Sequence, residues 1–253
     1  MSQNFRQPQI LQIARTEGRV VAEDLSERFG VSVQTIRRDL SELADAGALE
    51  RVHGGAVWPS GVRNIAYDER RSLNQDAKAA IGRACAAEIP DGASVFLGIG
   101  TTTEAVAHAL TGHASLMVVT NNLNIAQVLQ GHADCEVIVT GGALRRADAG
   151  LVGPMAVAAV RQFKVDIAVI GCSALDGAGD MLDFDLAEVE ISRAILAGSR
   201  QVRLVADQSK FQRAAPVRIG SLRDLDMVFS DAPLPGDLTA RCREWGTALR
   251  VCG

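Results

Sequence analysis

The sequence predicts two functional parts, a winged helix-turn-helix at the amino end and a larger α/β domain behind it. Three observations carry this reading. The first 58 residues hold a helical pattern bounded by turn signals and followed by Arg51-Val52-His53-Gly54-Gly55-Ala56. The remainder carries short, β-branched apolar runs, and helical segments lie between most of those runs. Short apolar strands alternating with helices indicate a mainly parallel sheet covered on both faces.

Taken in order, a first helix opens near Pro8, turns Ile10, Leu11 and Ala14 inward and ends at Gly18. A second, Ala22 to Phe29, buries Leu25 and Phe29 at i, i+4 and stops at Gly30, so Gly30-Val31-Ser32 is a tight turn. Ser32 caps the next helix, and Ile36, Leu40 and Leu43 form its buried stripe. With Ile36 at zero, Gln34 falls near about 160° and Arg38 near about 200°, opposite that stripe. These two residues are the expected base-edge readers, since arginine bonds guanine and glutamine bonds adenine in bidentate fashion. Thr35 and Arg37 lie on the flanks toward phosphates, while Asp39 lies beside the buried stripe and reads as structural. Arg51, His53 and Gly54 form a basic, glycine-tipped wing. The helix-turn-helix spans about residues 20–39 of a domain covering residues 1–58.

Composition limits how such a domain holds DNA. The chain has 253 residues and a formal net charge of −4, and its first 58 residues carry seven Arg, no Lys and eight Asp or Glu. Affinity must therefore come from the placement of Arg37, Arg38, Arg51 and His53 rather than from net charge. The cysteines at 85, 135, 172, 242 and 252 form no Cys-x-x-Cys pair and have no histidine at zinc spacing, so inert thiols, no metal and no cofactor are expected. The amino terminus lacks a signal-type apolar core and no run approaches the length of a membrane span, which predicts a reduced, cytoplasmic protein with no membrane partner.

Residues 59–74 are polar and unpatterned and read as a linker, leaving 75–253 for an effector-binding and oligomerisation domain. A helix is expected over about Gln75 to Glu88. Strands are expected at Ser94 to Leu97, Leu116 to Thr120, Glu136 to Thr140, Val165 to Gly171 and Val202 to Ala206. Ligands of such sheets collect at the carboxyl ends of strands, near a topological switch point. The first strand ends in Gly98-Ile99-Gly100-Thr101-Thr102-Thr103 and a helix starts at once. Gly100, Thr101 and Thr102 there can cradle a phosphate with backbone N–H groups, hydroxyls and the positive end of a helix dipole. A Gly-Thr-Thr turn equally suits a plain helix start, and the missing Gly-Lys-Ser/Thr excludes a P-loop. Asn121 and Asn122 end the second strand and Gly141 and Gly142 the third, adding candidate contacts. Asp183, Asp185, Glu188 and Glu190 cluster further on, where Glu188 can accept from polyol hydroxyls and Glu190 fits a solvated face. Lys210, in Asp207-Gln208-Ser209-Lys210, can neutralise a phosphate.

The run Thr35-Ile36-Arg37-Arg38-Asp39-Leu40 with Arg51-Val52-His53-Gly54-Gly55-Ala56 resembles the signature of the DeoR family of bacterial transcriptional regulators, which implies a DNA-binding role for residues 3–58. The later motifs resemble that family's effector domain, which is similar in fold to ribose-5-phosphate isomerase and implies a phosphorylated sugar or polyol ligand. Ile99-Gly100-Thr101-Thr102, Glu104-Ala105-Val106-Ala107-His108-Ala109-Leu110, Val119-Thr120-Asn121-Asn122-Leu123-Asn124, Phe184-Asp185 and Ser230-Asp231-Ala232-Pro233 look like the subgroup that answers glycerol-3-phosphate. The chain departs from that subgroup at Val33, usually proline, at Gly98, commonly aspartate, and at Ser192, usually lysine. The resemblance implies a repressor of glycerol metabolism genes, not an enzyme, which is a homodimer or homotetramer on double-stranded operator DNA and is released by glycerol-3-phosphate. Two alternatives stay open: a relative sensing another sugar phosphate, and a sugar-phosphate isomerase using Asp183, Glu188 and Lys210.

Overall fold

The computed structural model describes residues 6–17, 19–46, 48–52, 54–57 and 67–252. The chain divides into two compact units, Met1–Gly61 and Val62–Gly253.

The first unit contains α1 (Arg6–Glu17), β1 (Arg19–Val21), α2 (Ala22–Phe29), α3 (Val33–Asp45), β2 (Glu50–Val52) and β3 (Gly55–Val57). The strands form an antiparallel sheet in the order β1-β3-β2. Ile10, Ala14, Leu25, Ile36, Leu40 and Leu43 meet in one core, as the helical spacing requires. Gly30 takes the left-handed conformation, φ 63°, that ends α2. Ser32 then caps α3 by accepting from the Thr35 N–H at 3.2 Å. Asp39 is buried and accepts from Arg6 Nε at 3.0 Å, which fixes α3 against α1. The sheet closes tightly at Gly55, where a Cβ would lie 2.0 Å from the Val20 carbonyl oxygen.

The second unit opens with α4 (Tyr67–Ser72) and α5 (Gln75–Ala87). Its main sheet alternates with helices: β4 (Ser94–Leu97), α6 (Thr101–Ala109), β5 (Leu116–Thr120), α7 (Leu123–Leu129), β6 (Cys135–Val139), then a hairpin of β7 (Ala143–Arg145) and β8 (Gly150–Val152). The chain continues through α8 (Pro154–Val160), β9 (Val165–Ile170), β10 (Ala174–Leu175), β11 (Asp180–Asp183), α9 (Leu186–Ala197), β12 (Ser199–Val205), β13 (Val217–Ser221), β14 (Met227–Ser230), α10 (Gly236–Trp245) and β15 (Ala248–Val251). Seven strands form a fully parallel sheet in the order β15-β14-β12-β9-β4-β5-β6, and β10, β11 and β13 form a small antiparallel sheet.

Strand alternation builds a core on each face of the main sheet. Val95, Leu97, Val118, Ile167 and Val169 point to one, packed beneath Ile81, Val106 and Ile125 of α5, α6 and α7. Phe96, Val119, Ala168, Ile170 and Leu204 point to the other, against Val157, Val189 and Ile195 of α8 and α9. From β4 the chain steps outward to β5 and β6, then returns to β9 on the other side of β4 and proceeds to β12, β14 and β15. The switch point is therefore the gap between β4 and β9.

The linker expected over residues 59–74 is corrected in its second half. Residues 67–72 form α4, which docks on the second unit because Tyr67 Oη donates to Glu104 Oε2 at 2.8 Å and accepts from Asn124 Nδ2 at 2.9 Å. Residues 58–66 lie outside the described residues. Strands β14 and β15 extend the sheet beyond the strands expected; β14 carries its own short apolar run, Met227-Val228-Phe229, whereas Arg250 breaks the apolar pattern of the edge strand β15.

Candidate functional site

On α3 the residues opposite the buried stripe are presented outward. Gln34, Arg37 and Arg38 are exposed and Ile36 and Leu40 fully buried. Arg38 is the more open of the two arginines, with 82% of its side chain exposed and its Nε 3.0 Å from Glu42 Oε1. Arg37 approaches Glu23 at 3.4 Å from α2. The Ser32 hydroxyl lies 2.9 Å from the Thr35 hydroxyl, so both polar groups at the start of α3 are engaged locally. Arg51 is exposed on β2, but its Nη1 donates to the Arg37 carbonyl at 2.9 Å and to Ser41 Oγ at 2.7 Å, tying the wing strand to α3. Gly54 turns the wing with φ 80° and accepts from the Ala22 N–H at 2.9 Å. His53 lies outside the described residues.

In the second unit a narrow, mostly polar cleft opens at the switch point. Ile99, Gly100, Thr101 and Thr102 line it after β4, Gly171, Cys172 and Ser173 after β9, and Asp183, Glu188, Val205, Lys210 and Arg70 complete it. Gly100 stands before the first turn of α6 at φ 150°, a conformation that side-chain-bearing residues rarely adopt. No side chain caps that helix. Thr103 turns back to donate to the carbonyls of Gly98 and Gly100 at 2.7 and 2.6 Å. Among the described residues the Thr101 and Thr102 hydroxyls find no such partner, so they and the first N–H groups of α6 are available to an anion.

Lys210 is 8% exposed, and among the described residues its ammonium makes no hydrogen bond or ion pair. Burial lowers its pKa, as do Arg213 and Arg70, while Asp207 acts in the opposite sense. Burial also opposes ionisation of Asp207, yet Lys210 with the Ser209 and Asn74 bonds outweighs it and holds that carboxyl below the usual range. Behind the cleft-lining Glu188, Arg145 donates to Asp148 at 2.9 and 2.7 Å, to Asp185 at 2.7 Å and to Glu188. Glu188 is nonetheless pushed up to about 7 by burial and by the neighbouring Asp183, against the pull of Arg145. Asp183 is raised by burial and steadied by the Phe184 N–H at 2.7 Å and the Ser173 hydroxyl at 3.1 Å. The cleft thus gathers cations and hydrogen-bond donors together with carboxylates, which suits a small molecule with an anionic group and hydroxyls.

Of the expected effector contacts, Gly100, Thr101, Thr102, Glu188 and Lys210 meet in this cleft. Asn121, Asn122, Gly141 and Gly142 do not, because β5 and β6 lie on the far side of β4 from the switch point. Most of their groups are engaged in structure, although Asn121 Oδ1 is buried without a hydrogen-bond partner. Asn121 donates to the Leu151 carbonyl at 3.2 Å; Asn122 caps α7 by accepting from the Asn124 N–H at 2.8 Å and donates to Glu104 at 3.1 Å. A Cβ on Gly142 would stand 2.8 Å from the Val152 carbonyl oxygen, so that glycine serves the packing of β8. Sequence reasoning passed over Arg70 and Gly171-Cys172-Ser173. The glycine directly after the β9 run was a usable signal for the second, whereas nothing in the local pattern marks Arg70. The expectation of inert thiols bears on Cys172, which lines the cleft with its thiol pushed up to about 12 by burial. No cluster able to hold a metal occurs among the described residues, and no helix there is long and apolar enough to cross a membrane.

Two family models cover this architecture: a DeoR-like helix-turn-helix domain over residues 6–62 and a DeoR C terminal sensor domain over residues 73–232. The chain belongs to the DeoR family. It is 42% identical over 252 residues to the glycerol-3-phosphate regulon repressor of Escherichia coli (strain K12), covering 100% of both chains. The identity is also 42% to the repressor of that name from Haemophilus influenzae, with 100% of this chain and 98% of the relative covered. Among solved structures, a ribose-5-phosphate isomerase A of Methanocaldococcus jannaschii overlaps 55% of each chain at 12% identity and a TM-score of 0.41. The DeoR assignment gives the two units their general roles, DNA binding for the first and sensing for the second.

Proposed function

We propose that this chain is a repressor whose hold on operator DNA is released when glycerol-3-phosphate fills the cleft between β4 and β9. The observation that carries the reading is Lys210, a buried ammonium without a hydrogen-bonding partner among the described residues, in one cleft with the uncapped start of α6 and the hydroxyls of Thr101 and Thr102. A phosphoryl group would satisfy all of these at once, and the carboxylates of Glu188 and Asp183 would accept from the glycerol hydroxyls. The names of the relatives at 42% identity support that choice of polyol. On the DNA side Arg38 and Gln34 read base edges, and Thr35, Arg37, Arg51, His53 and Gly54 meet the backbone, with Ser32 holding the start of α3. One short helix reads few base pairs, so the active form is a homo-oligomer on paired half-sites about one helical turn apart, acting in the cytoplasm.

Release requires that the effector bind the weakly DNA-binding state more tightly than the strongly binding one. Fluorescence anisotropy of labelled operator, titrated with glycerol-3-phosphate, fructose-1-phosphate, fructose-6-phosphate and glycerol, tests the reading. Glycerol-3-phosphate is expected to release operator at the lowest concentration and glycerol to have little effect. Release by a hexose phosphate alone, or by glycerol as readily as by its phosphate, would overturn it. Asp183, Glu188 and Lys210 do share one cleft, which keeps an isomerase reading concrete. Conversion of an aldose phosphate to its ketose by the purified protein would favour that second reading.

A further inference from the structure

The short helix α4 brings to the cleft a cation with no part in the proposed sensing of the phosphate by Lys210 and the α6 start. Arg70 lines the cleft beside Thr101, Thr102 and Lys210, with 14% of its side chain exposed. Its guanidinium is poorly satisfied. The Nε is buried without a hydrogen-bond partner, and the nearest carboxylate, Asp148, stands 3.5 Å from Nη2. That carboxylate is already held by two short bonds from Arg145, and its Oδ1 also accepts from the Gly150 N–H. A buried guanidinium with donors to spare is costly unless another acceptor arrives. The cleft supplies no second carboxylate at bonding distance from Arg70 among the described residues.

We propose that Arg70 is an anion ligand of the sensor cleft, binding the phosphoryl group of the effector together with the α6 start and loosening its long contact with Asp148 as it does so. The inference rests on the phosphate-sensing reading above and adds a residue from outside the parallel sheet. The guanidinium fork suits two phosphoryl oxygens, whereas Lys210 offers a point charge. Helix α4 is also firmly held: Lys78 is buried and its ammonium donates to the Arg70 and Leu73 carbonyls, and Tyr67 is fixed by Glu104 and Asn124. Because α4 follows directly on residues 58–66, the segment that leads from the DNA-binding unit, an anion gripped by Arg70 acts on the chain at the point where that unit is attached. This gives occupancy of the cleft a covalent route toward the operator-binding half.

Isothermal titration of the full-length protein with glycerol-3-phosphate and, separately, with inorganic phosphate tests this. Arg70→Gln should weaken both ligands by the same factor, tenfold or more, because the contact is to the group the two ligands share. Arg70→Lys, which keeps the charge and loses the fork, should fall between. Thermal melts establish that each variant is folded, and a misfolded Arg70→Gln leaves Arg70→Lys to decide by the same equal-factor criterion. If the unmutated protein binds glycerol-3-phosphate and the folded variants bind it within twofold of that affinity, Arg70 is not a ligand and only this inference fails. If the variants lose glycerol-3-phosphate but keep inorganic phosphate, Arg70 acts on the polyol or on the shape of the cleft, and the inference also fails. Should the unmutated protein bind no phosphomonoester, the sensing reading itself falls and this inference with it.

Discussion

On the recognition helix Arg38 is 82% exposed and faces one carboxylate, Glu42, at 3.0 Å; in the sensor unit Arg145 is 20% exposed and holds Asp148, Asp185 and Glu188. An exposed i, i+4 pair is worth little, so Arg38 can leave Glu42 for a base edge at small cost. Arg145 cannot leave. Its pKa is raised because Asp148 and Glu188 outweigh the opposing effect of burial, and its removal would leave these two carboxylates, 4% and 16% exposed, without their main cation. Lys210 completes the contrast as a buried cation that makes no ion pair among the described residues, with Asp207 acting on it only as a nearby charge that burial outweighs. On the proposed reading, the regions differ as charge kept in water until a partner arrives, charge consumed in building a wall, and charge buried in advance for a ligand.

The largest effect is expected at the wall. Arg145→Ala should cost about 3 to 5 kcal/mol of stability, because breaking a buried ionic cluster leaves uncompensated charge behind. Urea denaturation followed by circular dichroism measures it. A loss under about 1 kcal/mol would mean that the carboxylates find water or protons instead, and Arg145 would then resemble Arg38 more than it differs from it.

A middle-sized effect is expected at the operator. Arg38→Ala should cost about 1 to 3 kcal/mol of operator affinity and relax preference at one base position. Arg51→Ala should weaken operator and random DNA alike, and because its Nη1 also ties β2 to α3 it should lower stability as well. Competition binding against random duplex separates these outcomes, and equal losses on both DNAs for Arg38→Ala would remove it as a reader.

The two regions also differ in how far they could be read from sequence. The recognition helix is local: Ser32, Ile36, Arg38 and Asp39 stand within eight positions, and a period of 3.6 residues is enough to give each its face. The cleft is assembled from Arg70, Gly100, Ser173, Glu188 and Lys210, which only strand order brings together. Periodicity reveals that strands exist and where they end, so Gly100 and Lys210 were visible as strand-end groups. It does not reveal that β9 rather than β5 forms the other wall of the switch point. For that reason Asn121, Asn122, Gly141 and Gly142 looked equivalent to Gly171 and Ser173 until the order of strands was known. Arg70 was hidden for a related reason, since a polar stretch with proline and glycine at its start gives no sign that its end folds back as α4.

Lys210 sharpens the comparison by a change of opposite sign. Lys210→Met keeps the stem and deletes the charge, and it should raise stability by about 1 kcal/mol while abolishing the response to glycerol-3-phosphate, since strained or buried functional groups trade stability for activity. The pH dependence has a definite sign. Burial lowers the folded-state pKa of Lys210 below that of the unfolded chain, so the penalty is fully present below the lowered value and fades as pH rises toward the ordinary lysine range. Melting curves of parent and variant should therefore converge with rising pH. A Lys210→Met protein that is less stable than its parent at neutral pH would show that the ammonium is already paired, which would remove the principal support for an anion site.

The smallest effect is expected at Glu42, and it tests the exposed end of the comparison most directly. Glu42 accepts from Arg38 Nε at 3.0 Å and from Gln7 Nε2 at 2.7 Å, so it links α3 to α1 as well as pairing with Arg38. Glu42→Gln keeps the shape and a hydrogen-bonding carbonyl but removes the charge. Loss of a surface pair should change stability by no more than about 0.5 kcal/mol. Operator affinity should rise slightly at low salt, because one negative charge leaves the face presented to phosphate and Arg38 no longer exchanges an ionic partner for a base. That gain should vanish as salt is raised, since the pair it replaces is itself screened in the free protein. A fall in operator affinity at low salt would show instead that Glu42 positions the Arg38 guanidinium for its base, making the surface pair a holder of geometry much as Arg145 is in the sensor unit.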